Sequence, residues 1–114
     1  MVTWLYDGEG KPGAFLDDFC IRTAGGNPAA WVFGLSVFSL KGDHIGWFEG
    51  GVLFDVDNRV LAFTAGAVCA GIAFPPLAAA PAVPTFSKRP HVPTLRARPV
   101  RQAAAGKAVA AQSR

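Results

Sequence analysis

The residues able to carry chemistry in this chain are few and scattered. Two histidines, His44 and His91, and two cysteines, Cys20 and Cys69, stand far apart and give no metal-ligand spacing. The carboxylates of Asp7 and Asp55 each open a turn-like stretch, where an aspartate oxygen can accept backbone amides, so they already have a structural use. No nucleophile–base pair, phosphate-cradling glycine loop or Cys-x-x-Cys pattern occurs, so the expectation is a non-enzyme with no metal and no cofactor. Aromatic surface in the first part of the chain and positive charge in the last part take the place of reactive groups. The chemistry they offer is binding.

Charge and composition change at one point along the chain. Residues 1–66 hold all eight acids and four bases, a net charge of −4, whereas residues 67–114 hold seven bases and no acid, +7. Eleven of the thirteen aromatics precede residue 66, and seven of the nine prolines follow it. This reads as one small domain, 1–66, then an apolar Ala/Pro-rich strap or short helix, 67–82, then a disordered basic tail, 83–114. The start "MVTWLYDGEG" has neither a basic n-region nor an apolar run, which is unlike a secretory signal. Two lone cysteines make a poor disulfide framework, so the expected setting is reduced and cytoplasmic, with the membrane periphery open. Residues 60–87 are uncharged, but their proline-free part, "VLAFTAGAVCAGIAF", is fifteen residues long, short of the ~20 a spanning helix needs.

The elements that must position any site come from an internal repeat. A shift of sixteen residues aligns Gly10, Gly26, Gly42 and Asn58, all types that tolerate a left-handed backbone. It also aligns aromatic Phe15, Trp31, Trp47 and Phe63, small Ala14, Ala30, Gly46 and Ala62, and aliphatic Leu5, Ile21, Val37 and Leu53. Tyr6, Phe38 and Phe54 share a column with Arg22, and Pro12 with Pro28. Each unit is too short for a helix pair and reads as strand, tight turn, strand. A three-residue loop in "YDGEGK" sets Asp7 against Lys11 and Leu5 against Gly13. Leu5, Gly13, Phe15 and their copies then share one face, and Tyr6, Pro12 and Ala14 the other. The expected fold is all-β: four hairpins around one axis in a shallow pseudo-fourfold barrel, closed so that no strand edge is exposed.

The order "WLYDGEGKPGAFLDD", followed by "VFSLKGDHIGWFEGGVLFDVDNRVLAFTAGA", resembles the bacterial four-fold beta-flower proteins. Tyr6-Asp7, Gly10, Pro12, Gly42, Gly46-Trp47 and Phe54-Asp55 carry the resemblance over about residues 3–66, and "RARPVRQ" echoes that family's Arg-Pro tail. It implies a symmetric shallow barrel with an apolar centre. A proposed kinship to tubby-like barrels suggests lipid binding. The second repeat departs from the pattern, with Arg22 for the aromatic and "TAGG" for the Asp-led turn.

On this reading Leu5, Phe15, Ile21, Trp31, Val37, Trp47, Leu53 and Phe63 converge on the centre, as a filled core or as the wall of a cavity for an apolar or lipid-like molecule. Arg22 falls at the rim, either snorkelling into water or holding an anionic head group. In the tail, Lys88, Arg89, Arg96, Arg98 and Arg101 suit an anionic membrane, each worth about 1 kcal/mol near such a surface. Three functions stay open: a lipid-like binding or scaffolding module, a nucleic-acid-associated protein acting through the tail, and a self-associating structural module.

Overall fold

Four hairpin tips are built on one pair of backbone bonds. Asp7, Thr23, Ser39 and Asp55 donate their amides to the carbonyls of Lys11, Asn27, Asp43 and Arg59, at 2.7–2.9 Å. Their own carbonyls accept the amides of Gly10, Gly26, Gly42 and Asn58, at 2.9–3.0 Å. Those last four residues have φ of 80°, 98°, 97° and 63°, which explains the repeat's column of glycine and asparagine. A side-chain oxygen caps every tip: Asp7 Oδ1 accepts the amides of Glu9 and Lys11, and Asp55 Oδ1 those of Asp57 and Arg59. In the two hairpins without the aspartate, the Ser39 hydroxyl accepts from Lys41 and Asp43, and the Thr23 hydroxyl from Asn27. The second hairpin is therefore as regular as the rest.

In this computed structural model, residues 2–69 and 71–96 are described, and their only strands are the eight of these hairpins. They are β1 (Val2–Tyr6), β2 (Pro12–Asp17), β3 (Cys20–Thr23), β4 (Pro28–Phe33), β5 (Ser36–Ser39), β6 (His44–Glu49), β7 (Val52–Asp55) and β8 (Val60–Phe63). Each strand pairs antiparallel with the next and β8 returns to β1, closing the barrel. The tips lie at one end and the short linking turns at the other. The amides of Val32, Phe48 and Thr64 bind the carbonyls of Phe19, Leu35 and Gly51, tying each linking turn to the following hairpin.

One feature of the hairpins decides which side chains face the axis. Tyr6 pairs with Pro12, but Leu5 pairs with Ala14, because a bulge inserts Gly13 as an extra residue. The same shift recurs in all four hairpins, giving the pairs Ile21–Ala30, Val37–Gly46 and Leu53–Ala62. Leu5, Ile21, Ala30 and Val37 form one buried cluster, joined by Ala14, Leu16, Val32, Phe48, Leu53 and Ala62. Drawn from every hairpin, this cluster is the axial core. Setting a bulky residue opposite a small one lets eight strands close on a centre filled by side chains. The expected sharing of one face by Leu5, Gly13 and Phe15 is corrected here. A one-residue change of register reverses the face of everything beyond it, and Phe15, Trp31, Trp47 and Phe63 point away from the axis.

The tip aspartates make stability depend on pH. Amides donated by Lys11 and Glu9 hold the Asp7 carboxyl below its ordinary range, and the amides of Arg59 and Asp57, with the Arg59 guanidinium, do the same for Asp55. A carboxyl with a depressed native pKa stabilises the fold above its unfolded pKa, about 3.9, and loses that contribution as pH falls through the native value. Asp7→Ala and Asp55→Ala are expected to lower the melting temperature at pH 7, and the gap to the parent should narrow steadily below about pH 4. Thermal melts between pH 2 and 7 check this, and a pH-independent gap would contradict it.

Candidate functional site

Across the four seams between hairpins, the outward-facing columns meet as cross-strand partners. Phe15 pairs with Arg22, Trp31 with Phe38, Trp47 with Phe54, and Phe63 with Tyr6. Trp4 adds to the same wall, edge-on to Phe15 at 5.2 Å. Rings facing outward on an eight-stranded barrel would leave a large apolar surface in water. These rings are nevertheless buried: Phe15, Trp31 and Phe38 have no exposed area, and Trp47 has 6 %.

Much of the cover comes from the segment after β8. Residues 72–96 form neither helix nor strand and pack against the outer wall at successive points. Phe74 packs on Phe63 at 4.6 Å between ring centroids, and Phe86 packs on Phe15 at 5.5 Å with the Arg22 guanidinium 4.4 Å from its ring. Leu95 packs on the cluster of Cys20, Trp31 and Phe38. Three successive seams each receive one apolar side chain of this strap.

The strap is itself periodic. "FPPL" at 74–77, "VPTF" at 83–86 and "VPTL" at 92–95 recur every nine residues. The half-buried prolines Pro75, Pro84 and Pro93 keep that spacing. So do the contacts with the hairpin tips. The Ala78 amide donates to the Gly10 carbonyl and the Arg96 amide to the Gly42 carbonyl, both at 2.9 Å. A Cβ on Gly10 would overlap the Pro76 carbonyl, one on Gly26 would press on Phe86, and one on Gly42 would overlap the Thr94 carbonyl. The glycine column thus serves twice, turning the tip and leaving room for the strap. Nine residues at about 3.1 Å each carry an extended, proline-rich chain ~28 Å, from one petal to the next.

Arg22, expected at the rim, is fully buried. Its Nε donates to Asp17 at 3.2 Å, Nη1 to the Gly26 carbonyl at 2.8 Å and Nη2 to the Ser87 carbonyl at 2.8 Å. One planar guanidinium therefore joins barrel, tip and strap, the geometry that makes arginine the residue for buried pairing. Arg89 reinforces it, reaching Asp17 at 3.4 Å and Asp18 at 2.9 Å while stacked 4.9 Å from Phe19. The Arg89 guanidinium holds the Asp18 carboxyl below its ordinary range.

The expected site residues divide accordingly. Leu5, Ile21, Val37 and Leu53 meet at the axis, while Phe15, Trp31, Trp47 and Phe63 lie on the outer wall. Of the tail cations named for an anionic surface, Arg89 pairs with Asp17 and Asp18, Arg96 pairs with Asp43, and Lys88 is exposed. Arg98 and Arg101 lie outside the described residues. His44 sits edge-on between Phe38 and Trp47. Among the described residues no three His, Cys, Asp or Glu side chains gather to hold a metal, and no helix is long and apolar enough to cross a membrane.

A family model described as a 4-fold beta flower protein matches residues 3–110, including the strap as well as the barrel. The chain belongs to that family. No curated protein and no solved structure gives a significant match to it.

Substitutions at Gly10 and Arg22 test the contacts that join tip, barrel and strap. Gly10→Ala meets both a left-handed backbone and the Pro76 carbonyl, whereas a methyl group on Gly8 would meet no atom within 4 Å. Gly10→Ala is expected to lower the melting temperature while Gly8→Ala leaves it nearly unchanged. Arg22→Met, which strands Asp17 and the Gly26 and Ser87 carbonyls, is expected to cost about 3–5 kcal/mol in urea unfolding. A loss below ~1 kcal/mol would show that the buried guanidinium does not join barrel to strap.

Proposed function

We propose that the protein is a non-catalytic binding and scaffolding module whose working surface is the aromatic outer wall. Each seam between petals is a cleft floored by an aromatic ring and its cross-strand partner, a second ring at three seams and Arg22 at the other, and a glycine stands at three of the four hairpin tips. Such a cleft suits an extended segment bearing an apolar residue, a proline and a second apolar residue. Prolines favour that conformation before binding, which lowers the entropy lost on docking. The observation that carries the reading is the match of two periods, one nine-residue strap unit for each of the first three sixteen-residue petals. In this chain the bound segment is its own.

Trypsin tests the reading, because Lys88 and Arg96 lie within the docked strap. Phe86→Ala combined with Leu95→Ala removes two apolar anchors and one cation–π contact, together worth ~2–3 kcal/mol. Cleavage after Lys88 and Arg96 is expected to accelerate more than about tenfold, with the near-ultraviolet circular dichroism of the barrel tryptophans retained. Equal cleavage rates in parent and variant would reject a strap held by those clefts.

A second reading keeps the apolar ligand but places it at the axis. Leu16, Val32 and Phe48 belong to the axial cluster yet are only partly buried. They offer an apolar mouth to an acyl-like chain. Native mass spectrometry of protein purified without delipidation tests this, with a bound apolar adduct expected and a ligand-free spectrum against it.

A further inference from the structure

We propose that the clefts also accept the strap of a second copy of this chain, so that two flowers join by exchanging residues 84–96. This inference rests on the reading of the outer wall as a segment-binding surface, and it names the partner of that surface.

The strap's attachment makes exchange geometrically simple. Its hydrogen bonds, ring contacts and ion pairs to the barrel fall at 74–78 and again at 85–96. Between them, residues 79–83, "AAPAV", are all exposed. Five extended residues span up to about 17 Å, enough to cross to an adjoining molecule. An exchanged strap makes the same contacts it makes within its own chain, so the cost of exchange is confined to association and to the hinge.

An independent feature favours a partner beside the third and fourth hairpins. Leu40, Ile45, Val56, Val60 and Leu61 are 39–52 % exposed there. The equivalent positions in the first and second hairpins, displaced by sixteen, thirty-two or forty-eight residues, hold Gly8, Pro12, Gly13, Ala24, Pro28 and Ala29. Two petals of four thus carry an aliphatic surface that the other two lack. The strap ends its described course on the third hairpin, at Gly42, next to this patch. A partner drawn in by the strap would arrive where apolar surface awaits cover.

Which unit enters which cleft is set by charge. The units "PAVPTFSKR" and "PHVPTLRAR" share proline, valine, proline, threonine and a terminal arginine. Asp17, Asp18 and Phe19 take the first unit's Arg89, while the buried Arg22 faces Phe86. The Arg89–Asp18 pair has side chains 34 % and 50 % exposed, so its charges can be reversed at the surface, with Asp17 left as the one acid that still faces position 89.

That pair supplies the test. Full-length Asp18→Lys and full-length Arg89→Glu each mismatch strap and cleft within one chain, but each strap matches the other variant's cleft. Mixed one to one, they are expected to shift from the 11.9 kDa of a single chain to about twice that mass by light scattering, and to regain tryptic protection at Lys88. The double variant Asp18→Lys/Arg89→Glu restores the match within one chain and should be protected by itself. If the double variant is protected and the mixture keeps single-chain mass, exchange is overturned and the intramolecular docking stands. If the parent itself is unprotected at Lys88, the docking reading fails, and exchange with it; if only the double variant is unprotected, Glu in place of Arg89 is repelled by Asp17 and the labelled-parent mixture decides. Should either single variant fold poorly, isotope-labelled and unlabelled parent protein, mixed at high concentration, must give mixed dimers in native mass spectra. Their absence overturns the proposal.

Discussion

The flower's architecture depends on one extra residue in the second strand of every hairpin. Without it Leu5 would oppose Gly13, and aliphatic and aromatic columns would compete for the same axis. With it, Leu5, Ile21, Val37 and Leu53 meet Ala14, Ala30, Gly46 and Ala62 inside, and the large rings turn outward. An aliphatic and alanine core is narrow enough for eight short strands to close around. The larger rings are better placed on the outer wall, where the circumference leaves room for them.

That solution creates a problem of exposure, which the strap resolves. A barrel of about sixty residues has little interior of its own and gains much from any surface it can cover. Phe74, Phe86 and Leu95 turn three ring-lined seams into packed layers without adding a strand or a helix. Backbone bonds at Gly10 and Gly42, and the Arg22 guanidinium at Gly26, fix the strap's phase on the petals. Barrel and strap pack against each other, and the family match runs through both.

Much of this was legible in the chain. The tip glycines and Asn58 announced left-handed residues at sixteen-residue intervals, and the four hairpins followed from them. Closure into a barrel followed from having no other way to cover four small sheets. The faces were not legible, because a bulge is a single unpaired residue whose place between Leu5 and Ala14 leaves alternation intact on either side. Thr23 and Ser39 hid the regularity of their tips, since a hydroxyl does the work of the Asp7 carboxylate with a different letter. Arg22 looked like a surface residue because its partners, Asp17 and the Ser87 carbonyl, are five and sixty-five positions away. The strap was obscured by its composition: alanine and proline suggest an unfolded chain, yet "VPTF" and "VPTL" nine residues apart were a visible sign of order.

The strap docks in phase with the petals. The amides of Ala78 and Arg96 test this most directly, because each bonds to a tip carbonyl of a different hairpin. Residue-resolved hydrogen exchange on the full chain should find both slowed well beyond the amides of Ala79, Ala80 and Ala82 between them. Exchange at unprotected-chain rates for Ala78 and Arg96 alike, with the strand amides still protected, would contradict the account.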